Sequence, residues 1–126
     1  MRATFDTNIL VDYLNGEARA EAELARFDER FISVVTWMEV MVGAAPDEEA
    51  PIRAFLGGFE VAPIDGAVAE EAVTLRRERR LRLPDAVIWA TARTRGALLV
   101  TRNTKDFPAD EPGVRVPYQV RGDAAR

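Results

Sequence analysis

The chain has 126 residues, of which 48% are hydrophobic and 30% are charged, a composition typical of one soluble globular domain. It contains no histidine and no cysteine, so catalysis by imidazole or thiolate, disulfides and the usual zinc sites are excluded. Chemistry at neutral pH would therefore rest on carboxylates, hydroxyls, amides, arginines and Lys105, and oxygen ligands of this kind suit magnesium or manganese.

The net charge of −4 is unevenly distributed along the chain. Residues 1–63 hold 5 basic and 12 acidic side chains, whereas residues 64–126 hold 12 basic and 9 acidic ones. The densest basic run, RRERRLR at residues 76–82, is explained either as a solvated helix end or as a surface that faces phosphates. The first ten residues lack the apolar stretch of a signal peptide and no segment predicts a membrane span, so we expect a cytoplasmic location.

Predicted strands and helices alternate along the chain. In order, they are strand RATF, helices TNILVDYL and EARAEAELARF, strand RFISVV, helices TWMEVMVGA and DEEAPIRAFLGG, strand FEVAPI, helices GAVAEEAVTLRRERR and LPDAVIWATART, and strands ALLVT and RVPY. This alternation predicts a parallel sheet that is covered by helices on both faces. We expect one domain over residues 1–120 and a disordered tail over residues 121–126.

Several polar side chains follow the predicted strands. Asp6 ends the first strand, and Glu39 lies one helical turn past the second. Asn103 and Asp106 follow the strand ALLVT, whereas Asp85 opens the preceding helix and reaches the same edge only through tertiary folding. Because functional groups of parallel sheets collect beyond the carboxyl ends of the strands, these residues are candidates for one site.

Each acid also has a local explanation: a helix cap for Asp6, a capping box with Thr36 for Glu39, the positive end of a helix dipole for Asp85, and a turn for Asp106. A joint role is favoured because acids on apolar elements are costly unless they are paired, and no equal set of basic residues lies beside them. Two carboxylates about 5 Å apart repel by ~3 kcal/mol, and a divalent cation would relieve that repulsion.

Four segments, in this order, resemble the PIN domain and most closely the VapC-type toxins of bacterial toxin–antitoxin pairs: FDTNILVDYL, SVVTWMEVMVGA, LPDAVIWATA and LLVTRNTKDF. The resemblance covers roughly residues 2 to 120. It implies an α/β protein with a PIN-like three-layer α/β/α sandwich and a five-stranded parallel sheet. It also implies a magnesium-dependent endoribonuclease, in which Mn²⁺ can substitute for Mg²⁺ and a metal-activated water hydrolyses RNA phosphodiesters.

The resemblance assigns roles to individual residues. Asp6, Glu39 and Asp85 match the three acidic positions of the family and are expected to be catalytic and to bind the metal. The fourth position, often aspartate in relatives, is Asn103 here, and both Asn103 and Asp106 are expected to take part in catalysis. Further expectations concern residues that brace Asp6 (Thr7 and Asn8) and residues that contact the RNA backbone (Arg102, Arg79, Arg80 and Arg82).

The resemblance also implies partners, namely a cognate antitoxin and a second copy of the chain in a homodimer. Trp37 and Trp89 lie at helical positions among apolar residues and are expected in the core rather than as platforms for bases.

Two alternative functions remain open at this point. A phosphoacceptor receiver domain would use Asp65, Thr101 and Lys105, although the adjacent acids expected after its first strand are missing. The receiver alternative would also give no role to Glu39 and Asp85. A PIN-fold binding module that has lost catalysis is the other alternative, and Asn103 is the observation that favours it.

Overall fold

A parallel sheet forms the centre of the molecule, whose computed structural model describes residues 1–120. Its five strands lie in the order β3-β2-β1-β4-β5. They are β1 (Arg2–Phe5), β2 (Glu29–Ser33), β3 (Glu60–Ala62), β4 (Leu98–Val100) and β5 (Val114–Arg115). Every adjacent pair is parallel, which confirms the predicted sheet. The tail predicted to be disordered, residues 121–126, lies outside the described residues.

Six helices connect the strands and cover both faces of the sheet: α1 (Thr7–Leu14), α2 (Ala18–Ala25), α3 (Val34–Val42), α4 (Glu49–Leu56), α5 (Gly66–Arg79) and α6 (Leu83–Thr94). Two apolar clusters result, one joining α1 to α4 with the sheet and one joining α5 and α6 with it. Val100 belongs to the first cluster and Leu99 to the second, because successive side chains of a strand point to opposite faces. The predicted α/β/α layering is therefore confirmed.

The start of α3 differs from the prediction. The strand predicted as RFISVV ends at Ser33, and Val34 already lies in the helix. Ser33 is the cap, because its hydroxyl accepts a hydrogen bond from the amide of Val35 at 3.0 Å. Thr36 is buried inside the helix, so the predicted capping box of Thr36 with Glu39 is wrong. The two valines resemble a strand locally, but the serine hydroxyl starts the helix before them.

The two central strands bring Asp6 and Thr101 together. Phe5 of β1 lies opposite Val100 of β4, and the amide of Asp6 donates to the carbonyl of Val100 at 2.9 Å. Asp6 and Thr101, each the first residue after its strand, therefore meet at the carboxyl edge of the sheet. This is the edge at which parallel sheets place their functional groups.

Candidate active site

Asp6 is fixed at the start of α1 by a set of neutral donors. One carboxylate oxygen accepts from the amide of Thr7 at 2.8 Å. The other accepts from the hydroxyl of Thr101 at 2.8 Å and from the side-chain amide of Asn8 at 3.2 Å. The side chain is buried, with 5% of the residue exposed. Asp6 thus caps the helix, as its local explanation predicts, while its other oxygen faces β4.

Burial sets the ionisation of Asp6. It raises the pKa of this carboxyl from 3.8 to about 6, against the opposing effect of the hydrogen bonds from Thr101 and Thr7. The negative charges of Asp85 and Glu39 raise this pKa further. Asp6 is therefore a carboxylate whose charge is disfavoured by its surroundings, and a cation beside it would be electrostatically stabilised.

Glu39 is connected to the start of α1 through a threonine. Its carboxylate accepts a hydrogen bond of 2.6 Å from the hydroxyl of Thr7, and that hydroxyl lies 3.2 Å from the hydroxyl of Thr36. Thr7 thus contacts Asp6 through its backbone and Glu39 through its side chain. The residue predicted to brace one acid links two acids, one on α3 and one at the end of β1.

Asp85 lies in the first turn of α6, which has no side-chain hydrogen-bond cap. Partial burial raises the pKa of its carboxyl, and the charges of Asp106 and Glu39 act in the same direction. Arg82 opposes them from 3.8 Å, measured from its Nε to a carboxylate oxygen of Asp85. The side chain of Asp85 is therefore electrostatically coupled to acids from three other parts of the chain.

Asn103 and Asp106 form a small hydrogen-bonded loop after β4. The side-chain amide of Asn103 donates to the Asp106 carboxylate at 3.0 Å, and its carbonyl accepts from the amide of Asp106 at 3.3 Å. The amide of Asn103 also donates to the hydroxyl of Thr101 at 3.0 Å. A carboxylate at position 103 could not donate this bond, so Asn103 serves here to hold Asp106.

Thr101, which was predicted to be functional only in the receiver alternative, lies beside Asp6. Its buried hydroxyl donates to Asp6 and accepts from the amide of Asn103. The signal that would have found it is its position directly after a buried strand, which is the position that singled out Asp6. Thr101 thereby couples the first acid to the loop that carries Asp106.

Asp6, Glu39, Asp85 and Asp106 thus converge at one edge, where Asp85 and Glu39 raise the pKa of Asp6 and where Asp106 and Glu39 raise the pKa of Asp85. Within residues 1–120, no three acidic side chains lie close enough together to enclose a metal ion. The donor set itself suits Mg²⁺, which prefers oxygen and is usually held by one or two carboxylates together with waters and substrate phosphates. The chemistry of these residues therefore fits a divalent cation, without a complete protein cage.

The four arginines expected to contact RNA lie in different surroundings. The side chain of Arg82 is 85% exposed beside Asp85, and Arg80 is the C-cap of α5, with a left-handed φ of 55°. Arg79 is paired with Glu111 at 2.6 Å and lies over the ring of Trp89. Arg102 donates to both carboxylate oxygens of Asp12, at 2.7 and 3.0 Å. These differences depend on tertiary packing, so the sequence alone does not separate the four arginines.

The two tryptophans pack against the two apolar clusters. Trp89 is fully buried in the α5 and α6 cluster, and Trp37 is half-buried against the other cluster. The expectation that they belong to the core is confirmed for Trp89, whereas Trp37 packs at the edge of the core. In the described part of the chain, no helix is both long and apolar enough to cross a membrane.

Tyr118 fastens the C-terminal segment to α1. Its hydroxyl donates to Asp12 at 2.8 Å, and burial together with this bond raises the pKa of the Tyr118 hydroxyl above its ordinary value. We expect Tyr118→Phe to lower the free energy of unfolding by about 1.5–3 kcal/mol, because the hydrogen bond that is lost has a charged acceptor, the carboxylate of Asp12. Urea unfolding measures this loss. Tyr13→Phe is the control, since Tyr13 stacks on Phe55 through its ring; an equal loss in both variants would contradict the assigned role.

The fold and the site together define a class of protein: a parallel α/β domain that gathers acids at the carboxyl edge of its sheet. The model of the PIN domain family matches residues 3–109. The chain belongs to the PIN domain family. This membership removes the receiver alternative, and Asp65 instead caps α5 by accepting from the amide of Val68 at 2.9 Å.

Named relatives place the chain more narrowly. It is 31% identical over 129 residues to Ribonuclease VapC10 of Mycobacterium tuberculosis, covering 96% of each chain. It is 29% identical over 119 residues to the tRNA(fMet)-specific endonuclease VapC of Shigella flexneri, covering 85% of this chain and 90% of that one. A solved toxin–antitoxin complex from Klebsiella pneumoniae matches with 47% identity and a TM-score of 0.89 over 94% of this chain and 99% of the other. The resemblance to VapC-type proteins is confirmed.

Proposed function

We propose that this protein is a magnesium-dependent endoribonuclease and the toxin of a toxin–antitoxin pair. The observation that carries the proposal is the convergence of four acids from separate parts of a PIN-family chain at the carboxyl edge of the sheet. The names of its relatives, a ribonuclease and a tRNA-specific endonuclease, support RNA as the substrate class.

Asp6 and Asp85 would hold the metal, and Glu39 and Asp106 would orient the attacking water or a second ion. When bound, Mg²⁺ lowers the pKa of its water and neutralises charge that develops on the phosphoryl group. Mn²⁺ has the same preference for oxygen ligands and is expected to substitute. This chemistry needs neither imidazole nor thiolate, which agrees with the absence of both residue types from the sequence.

The protein's own residues contribute orientation. Thr101 and Asn8 hold one oxygen of Asp6, Thr7 holds Glu39, and Asn103 holds Asp106. In the reaction the water oxygen forms a bond to phosphorus and releases a proton, while the bond from phosphorus to the ribose oxygen breaks and that oxygen takes up a proton. Carboxylates fixed in this way would keep the water in line with the leaving oxygen.

Cleavage of RNA by the wild type and by Asp6→Asn tests the proposal. With Mg²⁺ or Mn²⁺ we expect the wild type to cut RNA, a chelator to prevent it, and Asp6→Asn to lose about 10²–10³-fold in rate, since the amide cannot bind the cation as a carboxylate does. Gel analysis of a labelled RNA measures the products, and circular dichroism shows whether the variant is folded. A folded wild type that cuts no RNA with either metal would favour the inactive binding module.

We also propose a cognate antitoxin as partner and a homodimer as the assembly. Solved neighbours above 25% identity include the Klebsiella complex and a DNA-bound VapBC from Salmonella typhimurium. Next to Glu39, the side chains of Val11, Leu14 and Ile52 line a cavity between α1, α3 and α4. Four apolar side chains are exposed on the helices that form this cavity: Val11 and Leu14 of α1, and Met38 and Val42 of α3. Such exposed apolar side chains could bind an apolar peptide of an antitoxin. Co-purification with the product of a small adjacent reading frame and sedimentation analysis test both partners.

A further inference from the structure

We propose that a cavity beside the acids binds a backbone phosphate of the RNA, and that Arg82 and Lys105 are the side chains that contact it. This inference rests on the proposed function and adds the residues that hold its substrate. The cavity has a volume of about 370 Å³, and its lining in the described part of the chain consists of Asn8, Arg82, Arg102, Asn103, Lys105 and Asp106.

Cationic residues are needed near the site because the surrounding protein is negatively charged. The protein has a net charge of −4, and four carboxylates converge on the edge that the RNA must approach. RNA carries a negative charge at every phosphate, so this edge would repel it unless nearby cations offset the acids. The cavity is where cations lie beside these acids, since three of its lining residues are cationic and one is acidic.

The three cations are not equivalent. Arg102 has 16% of its side chain exposed and is held by both oxygens of Asp12, so its charge is already compensated. Arg82 is 85% exposed and has only a long contact of 3.8 Å to Asp85 among its described ion pairs. Lys105 is exposed on the loop after β4. The charges available to a phosphate are therefore those of Arg82 and Lys105. Arg102 was predicted to contact RNA and Lys105 was not, so Lys105 takes the place of Arg102 among the candidate RNA contacts.

Both side chains are placed next to the reacting groups. Arg82 immediately precedes α6, whose first turn carries Asp85, and Lys105 is the neighbour of Asp106. Asn8, which lines the same cavity, donates to Asp6. A phosphate bound by Arg82 and Lys105 would therefore lie beside Asp85 and Asp106. Contacts to backbone phosphates carry no information about base identity, so we infer affinity rather than sequence preference from this cavity.

The salt dependence of RNA binding tests the inference. A short fluorescein-labelled single-stranded RNA is titrated with the wild type and with each variant in the presence of a chelator, so that the RNA binds without being cut. Because each phosphate contact releases counterions, Lys105→Gln and Arg82→Gln should each reduce the slope of log K against log salt by about 0.7. Affinity at low salt should fall several-fold, and Lys105→Arg should retain the wild-type slope.

Arg26→Gln is the matched control. It removes the same charge from a side chain that is 60% exposed, and it follows α2 just before β2, at the opposite edge of the sheet. We expect it to leave the slope unchanged. Unchanged slopes for both Lys105→Gln and Arg82→Gln, or equal losses in Arg26→Gln, would overturn the inference. So would a weakened antitoxin complex with unaltered RNA binding, which would make the cavity a protein-docking surface.

The two proposals fail in different ways. If the wild type cleaves RNA with Mg²⁺ while neither variant changes the salt slope, the endoribonuclease proposal stands and the phosphate cavity is wrong. If the wild type neither binds nor cleaves RNA, both are wrong.

Discussion

Asp85→Ala is expected to remove most of the RNA cleavage activity while leaving the fold intact. The carboxyl of Asp85 is partly buried, and the charges of Asp106 and Glu39 oppose its ionisation. Removing it relieves repulsion in the folded state, so the free energy of unfolding at neutral pH should be unchanged or higher. The rate of cleavage should fall by about 10²–10³-fold, because the reaction loses a group that stabilises the transition state electrostatically. Cleavage assays and urea unfolding of the same preparation measure both effects.

Asp65→Ala provides the contrast. Asp65 is an acid that caps a helix, since it accepts from the amide of Val68 at the start of α5. Its replacement should lower the free energy of unfolding by about 1 kcal/mol and leave cleavage unchanged. If Asp85→Ala instead lost stability to the same extent and kept its activity, Asp85 would be a helix-start residue and nothing more.

The stability of the metal-free protein should fall as the pH rises through the ionisation of Asp6. The folded-state pKa of this carboxyl is about 6, above its ordinary value of 3.8, so the folded state binds the proton more tightly than the unfolded state does. The stabilisation is complete below pH 3.8 and is lost as the pH rises to about 6. A shift of this size corresponds to about 3 kcal/mol.

Comparison with Asp6→Asn isolates this effect from other titrating groups. The difference in unfolding free energy between wild type and variant should change by about 3 kcal/mol between acid and neutral pH, to the disadvantage of the wild type at neutral pH. Urea unfolding in chelator at several pH values measures it. A difference that does not vary with pH would show that Asp6 titrates normally.

Magnesium should reverse this cost at neutral pH. A ligand that binds only the folded state stabilises it by about 2.7 kcal/mol at a hundred times its dissociation constant, so Mg²⁺ or Mn²⁺ should raise the Tm of the wild type. Asp6→Asn should gain much less, because it lacks the buried carboxylate. Identical melting curves of the wild type in metal and in chelator would count against a metal site at these acids.

Much of the site could be predicted from local patterns. A strand followed at once by an acid placed Asp6 at the carboxyl edge, and the alternation of strands and helices indicated the parallel sheet. The prediction failed at Val34 and Val35, whose β-branched side chains suggest a longer strand than the one that ends at Ser33. Local preference was overridden there by a single serine hydroxyl that caps the helix.

The sequence by itself determined the available chemistry: with no histidine or cysteine, the groups left for catalysis are carboxylates, hydroxyls, amides, arginines and Lys105. It also determined which acids end strands or open helices, because periodicity and capping act over a few residues. Only the tertiary structure decided which groups touch. Thr101 meets Asp6, and Arg102 meets Asp12, across about ninety residues of chain, so neither contact has a local pattern. Packing of the helices against the sheet creates these contacts, and it thereby distinguishes Arg102, which is paired with Asp12, from the exposed Arg82 and Lys105, which we propose contact RNA.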